Sequence, residues 1–487
     1  MNIVEPILYQ CKLNPFAIAI GTPGSGIGSV RYGELERLIH SVARSAIRAG
    51  LAPGDIVAVH IIDSILHAVL ILGLMRVGIV TMSLTEPALP EHIKAAGVIT
   101  EAPQQFSGID NVIAFNAGWL QGDSTPLDYE RVYRCKGEDE CRIILTSGTT
   151  GRQKGTAFTH RMLIDRIGHY QIAKGGLLAQ TSKFLSDVGI SSVSGFNYLI
   201  NALSYGSTIY FSGRDIIAVL QYLDAYKIEG LATSPHNLNE MLTLFEADPA
   251  LECSLKYIIC LGARLSKELL LRAGARMCQN LYNSYGTTET STIAFGPAHL
   301  VNHQPGAVGF ICAGVTVEVV DREGRLLPRG SEGSLRIRSP HMARGYVGDP
   351  ETTAQMFRGG AFCPGDVGSV NSNGMLVLTG REKSVLSIGG DKIAPEIIEE
   401  ILCSFPGVEQ AAAFNIDDSL GISRIHALVV TDRDFDETAA RTYCETKMHA
   451  LFVPVSFTKV DDIPRGNHGK IDRERVIDLA KTLLKLI

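Results

Sequence analysis

Short apolar runs alternate with amphipathic stretches through most of the chain. DIVAVHI, GIVTMS, AGVIT and NVIAF have the length and β-branched content of buried strands, and segments such as PEHIKAA between them suit helix or loop. The rhythm returns at STIYF, GLATS and LKYIICLG. Strands that alternate with helices predict largely parallel sheets covered on both faces. The longest apolar region, IVAVHIIDSILHAVLILGLMRVGIVTM from Ile56, is interrupted by His60, Asp63, His67 and Arg76. A bilayer span needs about 20 predominantly apolar residues, so this region reads as strand, helix and strand, with Gly78 at a turn.

From about Pro305 the texture changes. GAVGFICAGVTVEVVDREGRLLPRGSEGSLRIRS alternates by twos around Gly-rich turns, which predicts antiparallel strands in a barrel or small sheet. After MLVLTGREKSVLSIGGDKIAPEIIEEIL the pattern becomes α+β. A helix starts near Pro395, the strands VEQAAAFNI, RIHALVV and VSFTKV follow, and ERVIDLAKTLLKLI closes the chain as an amphipathic helix. GTPGSGIG at 21–28 has the wrong spacing for a dinucleotide fingerprint and no helix directly after it. Between FAIAI and VRY it reads as a hairpin loop.

At 487 residues the chain exceeds one ordinary core, and roughly two to four packed units are expected. Hydrophobic residues make up 45% and charged residues 20%, a globular balance. Lys+Arg total 45 against Asp+Glu 51, and Trp occurs once, which argues against a nucleic-acid binder. The ten cysteines form no CxxC pair and have no His cluster at zinc spacing, so reduced thiols are expected. The N-terminus has no basic segment leading into a long apolar run, and a soluble cytoplasmic protein is the expectation.

Chemistry concentrates first at LTSGTTGRQKG, 145–155. The spacing fails the Walker pattern, yet glycines free the backbone N–H groups, hydroxyls donate, and Lys154 adds charge. On composition alone it is either a polyphosphate cradle or an ordinary surface loop.

The loop resembles the TSGTTGxPKG motif of the acyl-adenylate-forming enzymes: acyl-CoA synthetases, adenylation domains of peptide synthetases and luciferases. FTH follows at 158–160. LGARL at 261–265, NSYGTTET at 283–290, EGSLRIRSPHMARGY at 332–346, PGDVG at 364–368, GREKSVLSIGGDKIAPEIIEE at 380–400 and PRGNHGKID at 464–472 then appear in the family's order. The match runs from about residue 30 to the end.

The resemblance implies an α/β fold with a large N-terminal domain over 1–382, built of two βα-layered sheets and a small β-barrel-like subdomain at about 305–380. A small mobile α+β domain over 383–487 would carry the catalytic lysine. It further implies that a carboxylate attacks the α-phosphate of ATP to give acyl-AMP and pyrophosphate, after which a thiol takes the acyl group. Thr146, Ser147, Gly148, Thr149, Thr150, Gly151 and Lys154 would hold the β- and γ-phosphates. Mg²⁺ would sit at Glu289, beside Gly286, Thr287 and Thr288. Asp366 would accept the ribose hydroxyls with Arg381 alongside, and Tyr285, Asn283, Gly262 and Ala263 would border the adenine. Lys470 would bridge the substrate carboxylate and the α-phosphate, so that Lys470, Thr150 and Glu289 form the catalytic set. Lys383 would be the hinge, and Gly389 and Gly390 would border a tunnel for the pantetheine arm of CoA or of a carrier protein's phosphopantetheine.

Four departures from the family's pattern stand out. Gln153 replaces the loop proline, Pro364 replaces the Thr of TGD, and Leu261 replaces a glycine. SDVGISSVSGF at 186–196 lacks the usual histidine or aromatic pair. Gln153 restores an N–H and frees φ, so a looser nucleotide-free loop is expected. Val193 falls where amino-acid-activating members carry an Asp, which disfavours an amino-acid substrate. Phe196, His236, Leu261 and Ser284 are the candidates for the acyl pocket, and Leu261 would make it shallow. Thiol transfer to CoA is the expected ending, since the chain stops soon after Lys470. Loading of a separate carrier protein is the rival, and a degenerate nucleotide-binding homologue is the third reading.

Overall fold

The computed structural model describes the chain except for residues 23–27, 122–134, 147–152, 213–215, 249, 264, 382–385, 389–390, 418–422, 432–434, 467–469 and 485–487. Among the described residues, strands gather into one sheet of fifteen, one of six, one of three and a two-stranded ribbon.

The six-stranded sheet grows from the first apolar runs. Ile56–His60 pairs in parallel with Val80–Ser83 on one side and Gly97–Thr100 on the other, and the helix Ser64–Arg76 makes the crossover that the interrupted apolar region predicted. Asp63 starts that helix by accepting from the N–H groups of Ile65 and Leu66, each at 2.9 Å. The helix is buried on nearly every side, which is why its sequence lacks a polar stripe. Against it lies the helix Tyr32–Arg48, whose Leu35, Ile39, Val42, Ala43 and Ala46 recur at helical spacing and are buried. The helices meet at Gly73, where a Cβ would lie 2.5 Å from the Cβ of Val42. One apolar cluster takes in this pair, Val57 and Val59 of the six-stranded sheet, and Ile20, Phe184 and Ile209 of the large sheet. Each such aliphatic side chain contributes about 1.5–3 kcal/mol relative to exposure.

In the large sheet, Thr208–Phe211, Lys183–Ser186, Gly230–Thr233, Tyr257–Leu261 and Leu281–Thr287 run parallel side by side. The chain then reverses into Ser291–Pro297, and the alternating-by-twos region continues antiparallel from that strand. Ala307–Ile311 pairs with it, then Met375–Arg381, Asp366–Val370 and Gly333–Arg338 follow in order. The 21–28 segment connects two antiparallel strands, Ile18–Gly21 and Ser29–Arg31, as its composition predicted.

The small C-terminal domain folds around the three-stranded sheet of Val408–Asp417, Ser423–Thr431 and Phe457–Lys459, flanked by helices Pro395–Cys403, Glu437–Lys447 and Arg473–Leu484. Arg473 ties the last helix to the first by pairing with Glu396 and the buried Glu399. All ten cysteines are free, and among the described residues no helix is long and apolar enough to cross a membrane.

Candidate active site

Both large sheets end in one cleft of about 1090 Å³. Parallel strands present their carboxyl ends to ligands because the loops leaving them are free of sheet hydrogen bonds. Here those ends supply Thr146 from the six-stranded sheet, and Leu261, Gly262, Ser284 and Thr287 from the large one. Strand Glu140–Thr146 pairs antiparallel with Lys154–Thr159, with Thr146 opposite Lys154, and the Ser/Thr/Gly segment lies between the two in sequence. Ser147, Gly148, Thr149, Thr150 and Gly151 lie outside the described residues, as do Lys383, Gly389 and Gly390. The looser loop expected from Gln153 concerns the same undescribed segment.

The opposite wall is a tight reversal between Gly286 and Ser291. A Cβ at Gly286 would lie 2.3 Å from the carbonyl oxygen of Ser291, so that position requires glycine. The Thr287 and Thr290 hydroxyls meet at 2.9 Å across the turn. The turn is fixed from below by Arg166, whose guanidinium donates to the carbonyls of Thr288 at 3.2 Å and Glu289 at 3.1 Å and stacks over Phe158 at 4.2 Å. The Glu289 carboxylate faces the cleft and accepts from the Tyr346 hydroxyl at 2.6 Å. Lys154 holds its ammonium 5.1 Å from the centre of the same tyrosine ring.

Further along the cleft, Asp366 and Arg381 face each other on antiparallel strands, with Arg381 Nε donating to Asp366 Oδ1 at 2.9 Å. Tyr285 donates its hydroxyl to the other oxygen of Asp366. Burial, and then the Asp366 charge, raise the Tyr285 pKa far above the usual phenol range, so it remains a donor. Asp366 is only 3% exposed while Arg381 opens to solvent, an arrangement that holds the carboxyl group in place with acceptor capacity to spare. Asn283 is buried below, donating to the Val308 carbonyl at 2.7 Å, and its Oδ1 has no hydrogen-bond partner among the described residues. Gly262 stands at the cleft rim with φ +87°, whereas Ala263 is exposed and does not line the cleft.

Lys470 enters from the C-terminal domain on a small hairpin in which Arg465 bridges Ile471 and the Gly466 N–H donates to the Lys470 carbonyl at 2.8 Å. Its side chain stays accessible to cleft solvent, yet the walls crowd it. Desolvation, then the Arg381 charge, lower its pKa, and Asp366 and Glu289 oppose them.

The structure redraws the acyl-pocket candidates. Leu261 and Ser284 line the cleft. Phe196 does not: it is 1% exposed, packed against the Arg142 guanidinium at 5.0 Å. Val193, Ser194, Asn197 and Tyr198 form the cleft-facing side of helix Val193–Ser204, and Phe196 falls on the flank turned away. His236 is also absent from the lining and lies 3.6 Å from Glu240 on its own helix. The deep wall contains instead Tyr170 and Lys174, from helix His160–Ala173 and its C-cap. Sequence reading missed these two together with Arg166 and Tyr346. Tyr346 was within reach, because it closes the matched EGSLRIRSPHMARGY segment.

A fold with both sheets converging on a cleft, an acidic and hydroxyl-rich turn, and a lysine brought in from a second domain defines a nucleotide-activating class of enzyme. The AMP-binding enzyme model matches residues 10–347 and the AMP-binding enzyme C-terminal domain matches 397–470, so the chain belongs to the AMP-binding, acyl-adenylate-forming enzymes. It is 24% identical to a 4-chlorobenzoate–CoA ligase of Arthrobacter sp. over 96% of this chain and 93% of that one. It is 25% identical to ScoC, a fatty acid–[acyl-carrier-protein] ligase of Streptomyces coeruleorubidus, over 98% of this chain and 96% of that one. Among solved structures, the amide bond synthetase McbA of Marinactinospora thermotolerans superposes with TM-score 0.86 at 24% identity, covering 98% of this chain and 99% of McbA. The O-succinylbenzoate coenzyme A synthetase MenE of Bacillus subtilis, in complex with ATP and magnesium, superposes with TM-score 0.85 at 19% identity, covering 97% of this chain and 99% of MenE.

Proposed function

We propose that this protein is an AMP-forming ligase that joins a carboxylic acid to the thiol of CoA. The observation that carries the reading is the meeting of Glu289, Arg381 and Lys470 in one cleft, with Asp366 held directly behind Arg381. In the first half-reaction a carboxylate oxygen bonds to the α-phosphorus of ATP, and the bond from that phosphorus to pyrophosphate breaks. Two anions must approach, so a cation between them lowers the barrier. Lys470 fits that place because it lines the cleft together with Glu289 and Arg381 and its charge is felt by Arg381 and Asp366. Thr146 and Lys154 bracket the segment assigned to the β- and γ-phosphates. Asp366 accepts from the ribose hydroxyls, and Tyr285 and Arg381 orient it. Asn283, whose buried Oδ1 has no hydrogen-bond partner among the described residues, would border the edge of the nucleobase.

Glu289 would hold Mg²⁺. A single carboxylate suits this ion, which keeps phosphate oxygens and water as its other ligands, and among the described residues no cluster of three His, Cys, Asp or Glu supplies a cage. When bound, Mg²⁺ would draw charge from the phosphate oxygens.

In the second half-reaction a thiolate bonds to the acyl carbon, and AMP leaves. The division at 382/383, the hinge at Lys383 and the tunnel at Gly389–Gly390 belong to this reading. Similarity to a carrier-protein ligase favours one second reading, transfer to a phosphopantetheine arm on a separate protein.

ATP–pyrophosphate exchange with a broad carboxylate panel tests the adenylation step, and CoA-stimulated AMP release tests the acceptor. No exchange with any acid would overturn the ligase reading. Exchange without thioester formation would turn it toward the carrier protein.

A further inference from the structure

Resting on the ligase reading, we infer that the acid accepted by this cleft carries a second anionic group at the end remote from the reacting carboxyl, and that Lys174 receives it.

Lys174 is 2% exposed and lines the cleft's deep wall. Its ammonium donates to the Tyr198 hydroxyl at 2.9 Å and lies 4.3, 4.7 and 5.7 Å from the ring centres of Tyr170, Tyr198 and Phe295. The ring faces compensate part of the lost hydration. They do not use donors, and an ammonium has three, of which Tyr198 takes one. Among the described residues no carboxylate forms an ion pair with it. Buried cations are ordinarily paired, because desolvation without a counter-charge is costly. Among the described residues two more polar atoms of the lining, Asn197 Oδ1 and Ser291 Oγ, are buried without hydrogen-bond partners, both near the Tyr170 hydroxyl, to which the Asn197 amide NH₂ donates at 3.4 Å. Asn197 can present either its oxygen or, with the amide turned over, its NH₂. A cation with empty donors, in a lining that also holds the Ser291 hydroxyl and the Asn197 amide oxygen, matches an oxyanion. A purely apolar acyl tail would leave the remaining donors of the ammonium unpaired, so Lys174 selects against monocarboxylates.

The protonation state agrees. Burial pulls the Lys174 pKa down to about 7, and an arriving anion would favour the ammonium. The titratable groups facing it are Tyr170 and His169 on its own helix, Tyr198 on the neighbouring helix, and Cys312. Burial keeps the phenols and the thiol protonated and the imidazole neutral, so none supplies a competing charge near neutrality.

The test is ATP–pyrophosphate exchange with α,ω-dicarboxylates from malonate to adipate and with terephthalate, each against the monocarboxylate of equal length or benzoate. The wild type should prefer at least one dianionic acid by about 10- to 100-fold in kcat/KM, the range expected for a charge-assisted hydrogen bond. Lys174→Met should raise KM for that acid alone, leave KM for ATP unchanged, and not lower exchange with monocarboxylates. Tyr198→Phe should act in the same direction, more weakly. In the wild type KM for the dianionic acid should climb above about pH 7, and Lys174→Met should lose that limb. Wild-type preference for monocarboxylates, or an equal loss of both series in Lys174→Met, would overturn the inference and leave the ligase reading intact. No exchange with either series would overturn both. Should Lys174→Met fail to fold, the wild-type pH limb and Tyr198→Phe still decide the matter.

Discussion

The two ends of the cleft solve opposite problems of charge. At the nucleotide end each carboxylate has a donor: Asp366 has Arg381 and Tyr285, and Glu289 has Tyr346. At the deep end Lys174 is enclosed by aromatic faces with one hydroxyl for company. A paired site keeps its geometry whatever acid arrives, whereas an unpaired buried cation is in want of the ligand itself. The comparison teaches that chemistry and selectivity reside on different walls and should separate on substitution.

The largest effect should follow Lys470→Ala. Adenylation should fall by about 10²–10³-fold or more, while thioester formation from supplied acyl-AMP is spared. Equal loss in both half-reactions, measured separately, would break the division of labour. Next, Tyr346→Phe removes the donor that orients Glu289. Apparent Mg²⁺·ATP affinity should drop about tenfold, as for other groups that orient a metal ligand, with no change in discrimination between acids; isothermal titration and the acid panel check this together.

Two pH effects sharpen the contrast. The lowered pKa of Lys470 means that adenylation should decline with rising pH earlier than an ordinary lysine would cause, because the protonated form is the working one. Thioester formation from supplied acyl-AMP should lack that limb. Lys174 acts on stability. Its pKa is about 7 when folded and about 10.4 when unfolded. Between those values the unfolded chain binds more protons, so this residue's contribution makes stability rise with pH. Below both values its full penalty remains, and Lys174→Met should therefore raise Tm more near pH 6 than near pH 10. The smallest effect on the cleft should come from Gly73→Ala. The Cβ must displace Val42, at a cost of about 1–3 kcal/mol, read in urea unfolding, with acid selectivity untouched.

Much of this was legible in the chain. Apolar runs such as DIVAVHI and LKYIICLG became parallel strands because their length and β-branching leave few alternatives, and GAVGF onward became antiparallel because its period is two. The nucleotide end was legible because its residues sit in contiguous motifs. The deep wall was not. Lys174 gains meaning only from Tyr198 and Phe295, which lie 24 and 121 positions away. Phe196 was misplaced by less than a helical turn, a distinction that composition cannot make.

Arg166 holds one further consequence. Its guanidinium touches Phe158 on the hairpin strand and carries the carbonyls of Thr288 and Glu289 on the facing turn. It is thus a spacer between the strand that follows the segment assigned to the phosphates and the turn bearing the carboxylate assigned to their metal. A polyphosphate meets a frame already set at folding, so its own charge need not draw the walls together at each turnover.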